Sequence, residues 1–261
     1  MRTWFPLLSL LSSLLSGCES AQVKLGDGTD TSDSGTEHLG DDTNEPAPAT
    51  APLYVHDATM LYTWDPATAA ATPVGAFLDA ATGAPLSYAA DIAIDGEGQM
   101  FASSGTSIYR VDAATGETTF ERTVSETGTG LTVLPDGRLL VAGAALTAWD
   151  LESGASEVIV AAGPLSTSGD VVAVPDGTLH WSVLGAEGDA WVVVDPSTGT
   201  LEERGSVGVS GLWGVAYAEG TLYGFSSSGG VYSIDGPTGQ GVLVASSTVS
   251  FYGATTNPVT W

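Results

Sequence analysis

Between residues 51 and 261 short apolar runs alternate with polar positions, and glycine-rich turns break the pattern every 8–12 residues or so. Val, Ile, Tyr and Trp are concentrated in the runs, and no segment keeps a 3.6-residue period between helix caps. The pattern predicts strands throughout, an all-β domain. One half of a repeat runs strand, turn, strand: DIAIDGEGQMFASS from Asp91, LTVLPDGRLLVAG from Leu131, DVVAVPDGTLHWSV from Asp170 and WGVAYAEGTLYGFS from Trp213. Its turn glycines, Gly98, Gly137, Gly177 and Gly220, are spaced by 39, 40 and 43 residues. The other half is a strand ending in aspartate, a tight turn and a further strand, with Asp112, Asp150, Asp195 and Asp235 at gaps of 38, 45 and 40. An earlier copy, MLYTWDPATAAATPV, puts Asp65 in the same place.

Four strands in roughly 40 residues is the period of a β-propeller blade. The ends of the repeat region are complementary. YVH and MLYTWD lack a preceding inner strand, and SFYGATTNPVTW has the look of an inner strand on its own. The expected fold is a β-propeller of five four-stranded blades, the C-terminal strand completing the first blade and removing two open sheet edges.

The run Tyr/Val-x-x-Asp-x-x-Thr/Ser-Gly, followed by a strand, resembles the repeats of PQQ-like and YVTN/lactonase-like propellers. Trp64-Asp65 and Trp149-Asp150 are similar to the strand-ending dipeptide of WD40 blades. The resemblance covers about 200 residues and is a repeat signature. Within it the aspartate is expected to accept backbone amides across the turn and the glycine to take positive φ. PQQ-binding relatives close most repeats with tryptophan, where this chain has Phe120, Val158, Glu203 and Leu243, so that cofactor is not carried over.

The N-terminus has a different pattern. Arg2 precedes WFPLLSLLSSLL, an uncharged stretch shorter than the roughly 20 apolar residues a membrane-spanning helix needs. It runs into Leu15-Ser16-Gly17-Cys18, which resembles the lipobox of bacterial lipoproteins. That resemblance implies a signal peptide over 1–17, cleavage before Cys18, and lipid on the Cys18 sulfur and amine. Two or three acyl chains, at about 0.8 kcal/mol per buried CH₂, hold a soluble domain on a membrane. Residues 18–50 then read as an acidic tether too poor in apolar residues to fold. Its aspartates, Asp27, Asp30, Asp33, Asp41 and Asp42, lack the loop spacing of a calcium site. The expected location is extracytoplasmic, anchored to the cell envelope, with the outer membrane favoured over the inner. Glu19 after the cysteine bears on that choice.

Charge narrows the partners. Residues 51–261 hold 23 acids against four arginines, a net −19, which excludes nucleic acid and anionic lipid surfaces and suits cationic ligands. A single cysteine allows no internal disulfide and no thiolate metal cluster. His38, His56 and His180 are far apart, and no nucleophile elbow, zinc-protease helix or phosphate loop is present. Of the seven tryptophans most are expected as wedges between blades, with Trp181 and Trp213 partly exposed.

Aligning the repeats on their turn glycines puts Asp91, Gly130, Asp170 and Trp213 at equivalent starts of the channel-lining strand. Asp91, Asp170 and Trp213 form the candidate ligand site at the channel mouth, chemically fit for calcium, a sugar or a cationic group. The competing role for both aspartates is to accept backbone hydrogen bonds from neighbouring loops. The functional expectation is a monomeric envelope lipoprotein presenting the propeller as a binding or scaffold module for an envelope protein or carbohydrate, with no cofactor beyond calcium. The alternative is an extracytoplasmic glycosidase or lactonase-like hydrolase using the mouth carboxylates.

Overall fold

The computed structural model describes residues 52–258. The signal segment, Cys18, the tether and His38 all lie outside them. Within that range the chain forms 21 strands and no α-helix. The first blade holds β1 (Leu53–His56), β2 (Met60–Asp65) and β3 (Ala70–Ala76). After a two-residue strand, β4 (Leu78–Asp79), the second blade is β5 (Asp91–Ile94), β6 (Met100–Ser104), β7 (Ser107–Val111) and β8 (Glu117–Thr123). The third contains β9 (Gly130–Val133), β10 (Leu139–Ala142), β11 (Leu146–Trp149) and β12 (Ser156–Val160). The fourth contains β13 (Thr167–Ala173), β14 (Leu179–Gly185), β15 (Gly188–Asp195) and β16 (Thr200–Ser206). The fifth contains β17 (Leu212–Ala218), β18 (Thr221–Ser226), β19 (Gly230–Ile234) and β20 (Gly241–Ser246), and β21 (Gly253–Thr255) ends the set.

These are five antiparallel four-stranded blades of a β-propeller, as the repeat period predicts. The first blade has the order β21-β1-β2-β3, so a strand from the far end of the domain closes the ring, Val55 facing Ala254 in the ladder. The second blade departs from the four-strand pattern: β4 adds a short parallel strand outside β8.

The outer hairpins show why the repeat motif has its composition. Asp65, Asp112, Asp150, Asp195 and Asp235 each accept one or more backbone amides two or three residues on, through Oδ1. The turn then needs a residue at positive φ. Gly116, Gly154, Gly199 and Gly239 supply it in four blades, at +69° to +82°, and Ala69 is forced to +56° in the first.

The core is five separate cores, one per blade junction. Alternate residues of a strand point to opposite faces, so each strand serves two junctions. Ile92 and Ile94 pack with Leu61 and Phe77 of the first blade, whereas Ala93 packs with Leu131, Val141 and Trp149 of the third. Trp64, Trp149, Trp181 and Trp191 are buried wedges at four junctions. Trp181 is 0 % exposed, against the expected partial exposure: it faces inward from β14, where Leu134, Leu146 and Val194 enclose it.

Candidate functional site

The inner strand of each blade is a sheet edge whose outward amides have no ladder partner, and a buried amide must find an acceptor elsewhere. Side chains from adjoining blades supply it. Asp91 Oδ2 accepts the Leu131 amide at 2.6 Å, joining the second and third blades. Thr132 Oγ1 accepts the Ala173 amide at 3.1 Å, joining the third and fourth. Asp170 Oδ2 takes the Val215 amide at 2.6 Å, and Asp189 Oδ2 takes the Leu212 amide at 2.6 Å, joining the fourth and fifth. Thr256 Oγ1 accepts the Tyr217 amide at 2.7 Å across the closure. At the remaining junction His56 Nε2 lies 3.8 Å from Asp91 Oδ1.

Asp91 and Asp170 thus sit at equivalent positions, as aligned from sequence, and the structure brings them together. Both are 0 % exposed. Each Oδ1 also accepts the next amide of its own strand, from Ile92 at 2.8 Å and from Val171 at 2.6 Å. Burial, the facing Asp170 charge and a hydrogen bond with it raise the Asp91 carboxyl well above the usual carboxylate range. Burial pushes Asp170 up to about 7, opposed by hydrogen bonds from Asp91, Val215 and Val171. Two carboxyls in contact away from water share a proton more readily than they both ionise.

Glycines make this meeting feasible. Gly130 occupies the equivalent place on the blade between the two aspartates, where an added Cβ would stand 3.0 Å from the Asp170 Cα. A Cβ on Gly253 would stand 2.2 Å from Asp91 Oδ1 and 2.3 Å from His56 Nε2. The His56 ring donates from Nδ1 to the Asp57 carbonyl at 2.7 Å. Nε2 is therefore an unprotonated lone pair, and it makes no hydrogen bond. Burial lowers His56 to about 4, so the contact with Asp91 is not an ion pair at neutral pH.

Trp213 is one residue out of register with Asp91, Gly130 and Asp170. The Val215 amide takes the place of the Leu131 amide in the blade-to-blade bond, so the fifth-blade equivalent is Gly214. The cause is the hairpin after the inner strand. Ala218 pairs with Thr221 across only Glu219 and Gly220, whereas Ile94 pairs with Met100 and Val133 with Leu139 across five residues. Aligning on the turn glycine hides that difference.

Trp213 is the extra residue where the register against β18 shifts between Leu212 and Gly214, and it lines a cavity of about 280 Å³ at the channel mouth. Tyr88 precedes the second blade and Tyr252 precedes β21; both join it there. The Trp213 and Tyr252 ring centroids are 4.8 Å apart at 76°. Thr129 and Ser168 are the other side chains with polar atoms in the lining, which contains no charged residue. Asp91 and Asp170 are beneath this cavity and outside its lining.

A larger cavity of about 590 Å³ opens on the opposite hairpins, between the fourth and fifth blades, beside Asp176, His180 and Arg204. His180 Nδ1 accepts the Trp191 indole N–H at 3.0 Å, and burial lowers the ring to about 4. His56 and His180 lie on different blades. Among the described residues no three His, Cys, Asp or Glu side chains gather as metal ligands.

No protein-family model and no curated protein matches the chain. Among solved structures, a chain from a crystal structure of a nidogen/laminin complex superposes with a TM-score of 0.54 at 14 % identity, over 80 % of this chain and 85 % of that one. At that identity the similarity carries the propeller fold.

Proposed function

We propose that this chain is a cell-envelope lipoprotein, held by lipid on Cys18 and spaced by its acidic tether, that presents a five-bladed propeller as a binding module. The observation that carries the binding reading is the channel mouth. Three aromatic side chains converge there on an uncharged cavity, while Asp91 and Asp170 are consumed in joining blades. Apolar walls with a few polar groups are the usual make-up of a small-ligand site. The hydrolase alternative requires a carboxylic acid within reach of a bound substrate, and neither Asp91 nor Asp170 is exposed. The lipobox supports the anchor, and the net charge of −19 over residues 51–261 supports a soluble, repelling and hence monomeric domain.

The anchor is tested by mass spectrometry of the chain expressed in a bacterium: acyl chains on Cys18 support it, and an unmodified Cys18 refutes it. The binding module is tested by a thermal-shift screen of the full chain with calcium, EDTA, sugars and ammonium ions, repeated on Tyr88→Ala and Trp213→Ala. A stabilising ligand whose effect is lost in those variants supports the reading. Ligand effects that ignore both variants refute the mouth as the site.

A further inference from the structure

We propose that the channel mouth binds a free organic cation, a small methylated ammonium compound, held against the faces of Tyr88, Trp213 and Tyr252. The inference rests on the mouth being the binding site and adds the ligand class. Three observations select a cation over a neutral or anionic ligand.

The first is the wall chemistry. Indole and phenol rings carry negative faces, and rings converging from several directions are the recognised means of holding a cation that cannot donate hydrogen bonds. Trp213 and Tyr252 meet at 76° and so make a corner, which Tyr88 borders from the second blade. The second is the scarcity of side-chain polar groups. A sugar presents many hydroxyls that each need a partner when buried, and beyond the tyrosines and the Trp213 indole N–H the lining offers only Thr129 and Ser168. A methylated ammonium needs none.

The third is charge complementarity. All four arginines of residues 51–261 are engaged away from the mouth. Arg110 pairs with Glu121, Arg138 with Asp136 and Glu157, and Arg204 with Glu202. Arg122 donates to the carbonyls of Asp150 and Leu151. The mouth therefore has no fixed cation, and it opens on a domain of net charge −19, a field that draws cations and repels anions. The cavity volume of about 280 Å³ suits a compact head group.

Isothermal titration of the full chain with choline, tetramethylammonium and 3,3-dimethylbutan-1-ol, the uncharged carbon analogue of choline, tests this directly. Both ammonium ions should bind, choline about tenfold or more tighter than its analogue, as expected for a desolvated cation–π contact. Tyr88→Ala removes an exposed ring with little risk to folding and should weaken choline severalfold, and Trp213→Ala should weaken it further. Equal binding of the carbon analogue, or no binding of either ammonium ion, overturns the proposal. So does sedimentation with phosphatidylcholine vesicles without binding of free choline, which would make the ligand a lipid head group. A sugar that binds and is lost in Trp213→Ala would overturn the cation while leaving the mouth as a binding site.

Discussion

Asp91 on the second blade accepts the amide of Leu131 on the third at 2.6 Å, and Asp170 repeats that bond to Val215 two blades on. The two carboxylates among the three candidate channel-mouth residues are thereby fasteners between blades. Truncating either to alanine leaves a buried amide without an acceptor, a loss of about 1–3 kcal/mol for each such group. Asp91→Ala and Asp170→Ala should each lower the denaturant midpoint, and Asn, which keeps one acceptor, should recover part of the loss. Equilibrium unfolding in urea measures this. Unchanged midpoints in both alanine variants would remove the fastening role.

The same carboxyl pair sets a pH response. A carboxyl raised in the folded state holds a proton that the unfolded chain releases, so its contribution is complete below the unfolded value and is lost as pH rises through the folded one. For Asp170 that window runs from the ordinary carboxylate range up to about 7, and the raised Asp91 carboxyl acts in the same direction. His56 acts oppositely. Its folded value of about 4 penalises the fold as pH falls below the ordinary histidine range, and above that range it contributes no slope. Stability should therefore decline as pH rises through about 7, and Asp91→Asn should flatten that decline. Melting temperatures of both proteins from pH 6 to 9 check it; parallel profiles would contradict it.

Ala69 stands at φ +56° where the other blades have glycine. An L-residue in the left-handed region is strained by about 1 kcal/mol or a little more, and the Ala69 methyl packs against the buried cluster that contains Trp64 and Phe225. Ala69→Gly should stabilise the domain by about 0.5–1 kcal/mol, a rise of a few degrees at most in melting temperature. A fall would show that the lost packing outweighs the relieved strain.

Gly253 sets the limit of substitution at the ring closure. A Cβ there would overlap both Asp91 Oδ1 and His56 Nε2, in a three-residue strand that cannot move without opening the ladder to β1. Gly253→Ala should cost about 1–3 kcal/mol. Gly137→Ala meets no atom within 4 Å but lies at φ +87°, and it serves as a control for backbone strain alone. Limited proteolysis should find the N-terminal blade released sooner in Gly253→Ala than in the control.

The fold was legible because each blade repeats the same turn chemistry, and that chemistry is local: Asp112, Asp150, Asp195 and Asp235 bind amides two or three residues away. The site was legible only in part. Asp91 and Asp170 are marked by their place in the repeat, but their burial and pairing depend on Gly130 leaving space between them, a relation across three blades. Trp213 aligns one position off because its hairpin is shorter. His56 lies 35 residues before Asp91, in a strand that pairs with the far end of the domain, and nothing local marks it. Tyr88 falls outside the repeated segments and Tyr252 lies in the isolated C-terminal strand, and only closure of the ring brings them beside Trp213. Asp189, a third buried carboxyl fastening blades, sits in a β15 that starts earlier than its counterparts in other blades.

We assign ligand binding to the aromatic residues at the mouth and fastening of the blades to the aspartates beneath it. Ligand-induced thermal shifts of the full chain, compared between Asp91→Asn/Asp170→Asn and Tyr88→Ala/Trp213→Ala, test this assignment most directly. A ligand at 100 times its dissociation constant adds about 2.7 kcal/mol, which a melting curve resolves. The expected shift persists in the asparagine pair, on a lowered baseline, and disappears in the aromatic pair. A shift abolished by the asparagine pair and retained without the aromatics would contradict it and return the carboxyls to the role of ligand-binding or catalytic groups.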